Sequence, residues 1–445
     1  NIVYNLTLHP LARFPGPLLR RSLRFPYMYS MWSGKSHIHW QELHRKYGPI
    51  VRVAPNELSF ADTAAWNDIY SNHGGDHSFL KPMEWHTPSP GRASSIIDCR
   101  GKEHTRTRKK MEPAFTERAT MSQEGIVQKY VSLLMRRLGE KIVPVGPERR
   151  DAGDVNITEW STWTTLDITG DLAFGEAFGC LEQSAMNEWM GSIFGSLQFM
   201  ILAALLRYYP WLNWLMEKMT PQKLKDAVVE HWRIVENKVD TRLRRETSRA
   251  NFIGYWTKNG KGQDSLTLHE VYSNAFIMML AGTETTSTSL SGIIYQLVHK
   301  PSDIVRLTKE VRENFQKEED ITFSALKDFP FLNAVIWEGF RMSTPFPLGF
   351  KRMAPPGGGT VCGQHIPANT IVFQAFIALY FDENRVYDAH AFHPERWLEE
   401  ATADPNSSFY NDDRAALQPF EVGRNVCIGK PLAMAQTRLI LAKLF

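Results

Sequence analysis

The sequence contains few cysteines. Its 445 residues include only four, at Cys99, Cys180, Cys362 and Cys427. None belongs to a CxxC pair, so the sequence lacks both the spacing of a zinc site and the cysteine density of a small disulfide-stapled domain. We therefore expect reduced thiols in a protein that faces the cytosol.

Two further absences narrow the class of protein. The best apolar run, FMILAALL at 199–206, is shorter than the ~20 residues that a transmembrane helix needs. The net charge of +3 is too small to argue for nucleic acid binding, and the local basic run RGKEHTRTRKK at 100–110 is by default a solvated helix face. With 43% hydrophobic residues, the chain has the composition of a globular protein that can enclose a deep pocket.

The two ends of the sequence carry no start or stop signals. The chain begins with Asn rather than Met and ends within an apolar helical pattern, RLILAKLF at 438–445. We expect that both ends are cut and that residues 1–445 form one catalytic domain. An N-terminal membrane anchor and a C-terminal sheet would then lie outside this sequence.

Hydrophobic periodicity predicts a mainly α protein with small β-sheets. The first ~60 residues are rich in proline and aromatic residues, and two segments with turn signals, 46–62 and 354–372, are typical of small hairpins. Helical spacing dominates from Glu103 onwards. The predicted helices span roughly 103–119, 122–141, 157–176, 186–206, 221–248, 267–299, 302–316, 325–342 and 428–445.

The helix predicted at 267–299 is exceptional in its length, on the order of 50 Å. Its middle reads AGTETTSTS, from Ala281 to Ser289. Gly282 costs roughly 1 kcal/mol relative to alanine, and the Thr/Ser run is poor helix material. A central helix that is weakened at its midpoint indicates a functional requirement there.

The stretch FEVGRNVCIG, from Phe420 to Gly429, places Cys427 between two glycines and just before a predicted helix. Gly423 and Gly429 permit tight turns and the close approach of another body. The helix N-terminus favours a thiolate. A buried core thiol and a nucleophile are alternatives for a lone cysteine, but a thiolate beside apolar Phe420 suits a flat, apolar metal cofactor such as haem.

Two further motifs combine opposite charges. EGFR places Glu338 and Arg341 at positions i and i+3 of a predicted helix, and FHPERW at 392–397 supplies Arg396. Such pairs are common on solvated helix faces, so neither motif is specific alone. Together they suggest a buried Glu-Arg-Arg network that fixes geometry more than it adds stability.

The four motifs AGTETT, ExxR, FHPERW and FxxGxxxCxG follow one another in an order and spacing that resemble the cytochrome P-450 family of haem-thiolate monooxygenases. The resemblance covers essentially the whole chain, and YNLTLHPLARFPGPLLRR with ELHRKYGPIVRVAPNELSF is similar to the N-terminal region of fungal microsomal members. It implies the family's fold, in which the long central helix lies over the haem and the cysteine loop precedes a penultimate-type helix.

The resemblance also implies residue roles at the reaction centre. Cys427 corresponds to the proximal axial ligand of the haem iron, and Phe420 to the aromatic residue that shields its sulfur. On the opposite face, Thr285 and Glu284 correspond to the residues that serve oxygen activation and proton relay. Ala281, one turn before Thr285, would help to leave space for oxygen.

Other matched positions concern haem retention. His104 and Arg108, at i and i+4, match a pattern that pairs with the haem propionates, although a basic surface face remains the alternative. Arg352 corresponds to another propionate partner. Asn425 departs from the basic residue that most members carry there, so Arg424 is the candidate replacement. Glu338, Arg341 and Arg396 match the family's structural triad.

The implied reaction is the reductive activation of O2 at haem b, with electrons from NADPH through a reductase. The implied substrate is a lipophilic small molecule of fungal secondary metabolism, held by apolar residues of the pocket. These are Phe199, Phe276, Phe346 and Leu348. An O2-independent haem-thiolate isomerase or dehydratase and a non-catalytic haem binder are the alternatives, and the presence of Thr285 and Glu284 argues against the isomerase.

The resemblance finally implies a setting for the protein. We expect a monomer on the cytosolic face of the endoplasmic reticulum membrane, with an NADPH-dependent reductase as partner and no nucleic acid. The aromatic-rich segment 199–216 is a candidate for contact with the membrane surface, with ordinary core packing as the alternative.

Overall fold

The structure is a computed structural model that describes residues 1–71, 73–74, 77–141, 153–245, 251–258 and 265–445. It is mainly helical with two small sheets, as predicted. The α-helices of the described residues are α1 Ile2–Thr7, α2 Leu18–Ser22, α3 Phe25–Trp32, α4 Ser36–Tyr47, α5 Ala64–Tyr70, α6 Gly101–Met111, α7 Glu117–Lys141, α8 Ile157–Phe174, α9 Cys180–Gln183, α10 Glu188–Leu206, α11 Pro210–Met219, α12 Gln222–Arg244, α13 Phe252–Lys258, α14 Leu268–His299, α15 Pro301–Asn314, α16 Pro330–Met342, α17 Phe376–Tyr380, α18 Glu399–Ala403 and α19 Lys430–Leu444.

The larger sheet pairs two strands from the N-terminal part of the chain, residues 50–60, with two strands from residues 352–374. Its strands lie in the order β1-β2-β6-β3, and a separate hairpin pairs β4 with β5. Strand β2 runs antiparallel to β1 and parallel to β6, with Glu57 opposite Ile371. The strands are β1 Ile50–Ala54, β2 Glu57–Phe60, β3 Arg352–Met353, β4 Gly359–Val361, β5 Gln364–Ile366 and β6 Ile371–Gln374.

Helix α14 is the central element and is continuous through the segment AGTETTSTS. It starts with a capping box, in which the hydroxyl of Thr267 accepts from the backbone N–H of Glu270 and the Glu270 carboxylate accepts from the backbone N–H of Thr267. Gly282 lets α14 approach α8 closely, since a Cβ there would lie 3.0 Å from the hydroxyl of Thr169. The close packing of α14 against α8 thus explains why a weak helix former, Gly282, occurs in the middle of α14.

The N-terminal region differs from the prediction. Its proline- and aromatic-rich sequence contains four helices, α1 to α4, of which only α3 and α4 exceed six residues. They are stabilised by tertiary contacts, because Trp40 is buried against Tyr27 and Phe373 of the larger sheet. Local propensity is a weak prior where such contacts decide the structure.

Several predicted boundaries shift for local reasons. The helix predicted at 103–119 is divided, because Pro113 lies in a short 3₁₀ turn between α6 and α7. Helix α16 starts at Pro330 rather than at 325, with proline at a position whose N–H needs no partner. Helix α12 ends at Arg244, and the predicted positions 246–248 lie outside the described residues. The hairpin predicted at 354–372 exists as β4 and β5, but β6 joins the other sheet.

Helix α10 is long and apolar enough to cross a membrane by length and composition, which a search for uninterrupted apolar runs overlooked. Only 22% of its 18-residue apolar segment is buried inside the protein. Its two ends nevertheless belong to the domain, because Trp189 donates a hydrogen bond to His231 of α12 and Leu205 is buried in the core. The helix therefore forms part of the domain surface.

Candidate active site

The loop that carries Cys427 is closed by a backbone hydrogen bond. The Cys427 N–H donates to the carbonyl of Phe420 at 2.8 Å. Gly423 has a left-handed φ of 71°, and a Cβ there would collide with the carbonyl oxygen of Tyr70. Gly429 has an ordinary φ of −83° and precedes α19. Only the first of the two glycines is therefore required by backbone conformation.

Cys427 is exposed, whereas Cys99 and Cys180 are buried. The protein atoms packed around its loop nevertheless raise the pKa of its thiol by desolvation. The backbone N–H groups of Gly429 and Lys430 and the charge of Arg108 act in the opposite direction. The backbone N–H groups at the helix N-terminus therefore favour the thiolate, as expected, but desolvation outweighs their contribution to the thiol pKa.

The ring of Phe420 is held by α16. It lies edge-on to Phe340 and Trp337, with ring centroids 5.4 and 6.5 Å apart. The ammonium group of Lys430 lies 5.6 Å from the centre of the same ring. Since the carbonyl of Phe420 accepts the Cys427 N–H, these contacts fix the base of the cysteine loop.

A cluster of cations surrounds His104 on α6. The pKa of this imidazole is lowered to about 3, mainly by burial and also by the charges of Lys81, Arg108, Arg352 and Arg424. Its Nδ1 is buried without a hydrogen-bond partner among the described residues. The four predicted residues His104, Arg108, Arg352 and Arg424 therefore lie near one another, together with Lys81, which the sequence did not indicate.

Two of these cations, Arg108 and Arg352, make direct contacts with the cysteine loop. Arg108 donates a hydrogen bond to the carbonyl of Val426 at 2.6 Å, next to the cysteine. Arg352 forms a buried ion pair with Glu421 of the cysteine loop, and its Nε has no partner among the described residues. Glu421 stands in the predicted motif, but nothing in the sequence pairs it with a strand 69 residues away.

Lys81 and Arg424 both line one cleft. The cleft is also lined by Arg100 and by Asn425, the position at which a basic residue was expected. The ammonium of Lys81 is buried and donates to the carbonyls of Ile96 and Ile97 at 2.9 Å. The positive charge absent at position 425 is therefore present nearby on Arg424 and Lys81.

The middle of α14 presents two exposed threonines. Thr285 and Thr288 are exposed, whereas Thr283 and Thr286 are buried. The Thr285 hydroxyl donates to the carbonyl of Ala281 at 2.5 Å, which leaves its oxygen free to accept a hydrogen bond. Glu284 is half-buried, and burial raises the pKa of its carboxyl group.

Glu338, Arg341 and Arg396 form one buried network. The Glu338 carboxylate accepts hydrogen bonds from both arginines, at 2.8 Å from Arg341 Nη2 and 3.1 Å from Arg396 Nε. It also accepts from the backbone N–H of His393 and the indole of Trp397. Although burial opposes ionisation, Arg341 and Arg396 hold the pKa of Glu338 below its usual value. The predicted association of these three residues is confirmed.

The residues predicted to line a substrate pocket lie in different surroundings. They are Phe199, Phe276, Phe346 and Leu348. Phe276 packs against His231 and the main core, whereas Phe199 is 63% exposed and lies against Trp32 of α3. Phe346 stacks on Phe350, and Leu348 packs against the sheet. No contact that the structure describes gathers all four in one cluster, so their shared role stays a prediction.

The chemistry of this site fits haem. An accessible sulfur lies in a loop that also contacts Arg108 and Arg352. These two cations, with Lys81 and Arg424, outnumber the buried carboxylate of Glu421 in their midst. The two propionates of haem would balance such an excess, and the orphaned Nδ1 of His104 and Nε of Arg352 offer further polar contacts.

A helical fold with a cysteine loop beneath a basic cluster defines a haem-thiolate protein. The model of the family "Cytochrome P450" matches residues 20–445. The chain therefore belongs to the cytochrome P450 family. It is a monooxygenase that uses haem, O2 and a redox partner.

Named fungal relatives support this assignment. The chain is 35% identical over its whole length to cytochrome P450 monooxygenase atr2 of Stereocaulon alpinum, of which it covers 86%. It is 37% identical over 99% of its length to cytochrome P450 monooxygenase dtxS2 of Metarhizium robertsii, of which it covers 84%. It is also 36% identical over its whole length to averantin hydroxylase of Dothistroma septosporum, of which it covers 81%.

Proposed function

We propose that this monooxygenase hydroxylates a lipophilic small molecule with haem b bound by Cys427 and electrons that NADPH supplies through a reductase. The observation that carries the proposal is the accessible sulfur of Cys427 in an enclosed loop beside the basic cluster. Bound haem supplies the oxidising chemistry, and the thiolate favours O–O cleavage. The protein contributes the ligand, the cations that hold the propionates, and the distal groups.

Lys81, Arg108, Arg352 and Arg424 would hold the two propionates. His104 would remain neutral there, because burial and these cations keep its pKa near 3. The Nδ1 of His104 would gain a partner on binding. This assignment explains why these cations cluster in the interior of the molecule around the buried carboxylate of Glu421.

Thr285 and Glu284 would serve proton delivery. Since the Thr285 hydroxyl gives its hydrogen to the Ala281 carbonyl, its oxygen can accept a hydrogen bond from water or from a protonated group. The raised pKa of Glu284 brings its carboxyl closer to neutrality, which suits a group that both takes up and releases protons.

A carbon monoxide difference spectrum tests the ligand. The reduced, haem-loaded protein should show the red-shifted Soret band of a thiolate ligand, and Cys427→Ser should abolish it. Cys362→Ser is the matched control, because Cys362 is half-buried in the turn between β4 and β5, and it should keep the band. A band that survives in Cys427→Ser would show that another residue binds the iron.

The distal assignment is tested by coupling. Thr285→Ala should release peroxide at the expense of product, with about tenfold lower product yield per NADPH consumed. Thr285→Ser keeps a hydroxyl in place and should retain most of the coupling. Equal coupling in both variants would remove Thr285 from the proton path.

We further propose substrates of fungal secondary metabolism. Averantin hydroxylase of Dothistroma septosporum is one fungal relative that supports this class of substrate. The apolar residues Phe276 and Leu348 are the candidate walls. Substrate-induced shifts of the Soret band, followed by product analysis with NADPH and reductase, test the class. A preference for charged, hydrophilic compounds would contradict it.

We also propose that the domain rests on the cytosolic surface of the endoplasmic reticulum membrane. Helix α11 has no buried residue, and its Trp211 and Trp214 are 63% and 59% exposed. The stacking of Phe25 on Tyr209 places the start of α3 beside this surface, which is therefore extended and aromatic.

Flotation with phospholipid vesicles tests the membrane surface. Replacing Trp211 and Trp214 by serine should weaken binding at least tenfold, because burial of each indole contributes about 2 kcal/mol. Tyr410→Ser, which removes an exposed aromatic residue far along the chain, is the control. Equal flotation of the two variants would contradict the assignment.

A further inference from the structure

The cysteine loop carries a carboxylate in an unusual conformation. Glu421, which lies between Phe420 and Gly423, has a φ of 61°, in the left-handed region that residues with a side chain rarely adopt. It is only 6% exposed. A buried charge and a disfavoured backbone conformation both cost free energy, so specific contacts must stabilise this residue.

The contact that stabilises Glu421 is its ion pair with Arg352 of β3. Arg352 is itself 2% exposed, its Nη1 donates to the carbonyl of Lys351, and its guanidinium lies 5.1 Å from the centre of the Tyr70 ring. The ion pair therefore joins the cysteine loop to the rigid edge of the larger sheet. Removal of one partner would leave the other charge buried and unpaired.

The path from this ion pair to the sulfur is short. The residue before Glu421 is Phe420, whose carbonyl accepts the backbone N–H of Cys427. Two residues after Glu421, Gly423 rests against the carbonyl of Tyr70, and the Tyr70 hydroxyl donates to the Phe350 carbonyl near Arg352. A displacement of Glu421 would therefore move the backbone group that fixes Cys427.

We propose that Glu421 is a positioning residue, which clamps the cysteine loop to β3 through Arg352 and so holds Cys427 in place as the iron ligand. The proposal rests on the ligation of haem by Cys427 proposed above. It also gives Arg352 two roles, an ion pair with Glu421 of the cysteine loop and a contact with a haem propionate. As a second consequence, the negative charge of Glu421, which acts on the Cys427 thiol, would favour the ferric over the ferrous state of haem bound there.

The test uses the haem-loaded protein and the spectrum of its carbon monoxide complex. In Glu421→Gln and Arg352→Gln, the red-shifted thiolate band should convert to the unshifted band about tenfold faster than in the wild type, which corresponds to about 1.4 kcal/mol. The double variant should be no worse than the more affected single variant, because both lose the same interaction. Glu230→Gln, which breaks the exposed pair with Arg233 on α12, is the control and should match the wild type.

A second readout separates the clamp from general stability. Glu421→Gln should raise the reduction potential of the haem iron, an effect that a loss of stability alone would not produce. Glu421→Gly relieves the backbone conformation but removes the ion pair, and it should also lose the thiolate band faster.

The outcomes that overturn the proposal are distinct. A wild-type protein without the thiolate band would overturn the ligation of Cys427 and this proposal with it. A wild-type band with an unchanged conversion rate in Glu421→Gln would overturn the clamp alone. Slower haem loss in Glu421→Gln would also overturn it, because Glu421 would then compete with a propionate for Arg352.

Discussion

The guanidinium of Arg108 donates a hydrogen bond to the carbonyl of Val426, the residue before Cys427. Helix α6 and the cysteine loop are therefore in direct contact, although 318 residues separate the two partners. The family pattern suggests a propionate partner for Arg108. The structure adds a second contact, to the backbone of the loop, so that one side chain can hold both the cofactor and its ligand loop.

Replacement of Arg108 should therefore weaken haem retention. Arg108→Gln removes a cation and a charge-assisted hydrogen bond, and we expect at least a tenfold faster transfer of haem to an acceptor protein, because such bonds contribute about 1.5–3 kcal/mol. Lys109→Gln makes the same charge change at the next, exposed position of α6 and should have little effect. Equal rates for the two variants would contradict a specific role for Arg108.

Gly423 should tolerate no side chain. Gly423→Ala places a Cβ against the Tyr70 carbonyl at a left-handed φ of 71°, so we expect a low yield of haem-loaded protein and a loss of about 3 kcal/mol in unfolding free energy. Gly34→Ala is a matched control, because Gly34 has a φ of 70° with open space around it. It should cost only about 1 kcal/mol. Similar losses in the two variants would show that the backbone conformation, and not the collision with Tyr70, causes the loss of stability in Gly423→Ala.

The Glu338 network should be critical for folding. Glu338→Gln leaves Arg341 and Arg396 buried without their shared carboxylate, and we expect a loss of about 3–5 kcal/mol of unfolding free energy. Glu313→Gln removes an exposed carboxylate that lies 3.8 Å from Lys309, and it should change stability by less than about 1 kcal/mol. Denaturant titration measures both. A mild effect of Glu338→Gln would mean that the arginines find other acceptors.

His44 should make the protein less stable in acid. Its Nδ1–H donates to the Gly48 carbonyl at 2.9 Å and its Nε2 accepts from the Ser59 hydroxyl at 2.7 Å. Burial lowers the pKa of His44 from 6.5 to about 4. Between pH 6.5 and pH 4, His44 is therefore protonated in the unfolded chain but neutral in the folded chain. The contribution of His44 to the unfolding free energy is complete above pH 6.5 and is lost as the pH falls towards 4.

The measurement compares unfolding free energies at pH 7 and pH 5. At pH 5 the wild type should have lost about 2 kcal/mol through His44. His44→Gln cannot titrate, so its stability should fall by that much less between the two pH values, even though the variant is weaker at pH 7. A parallel fall in both proteins would assign the acid sensitivity to other groups.

Motifs in the sequence predicted the groups that act at short range. The cysteine loop, the central helix and the Glu338 network follow from short patterns, and the structure brings each network together. Lys81 and Glu421 were missed, because their partners are distant in the chain and their own surroundings contain no signal. The desolvation that raises the thiol pKa of Cys427 was not predicted, since it depends on neighbours that only the folded chain supplies.

The parallel pairing of β2 with β6 has a consequence for synthesis of the chain. The side-chain amide of Asn56, next to β2, donates to the carbonyl of Asn369, 313 residues later. At about 5–20 residues per second, a ribosome needs about 15–60 s to complete that interval. Throughout it the nascent hairpin β1–β2 must present an unpaired strand edge, which is a template for aggregation. We therefore expect recombinant yield to depend on the chaperone capacity of the host cell.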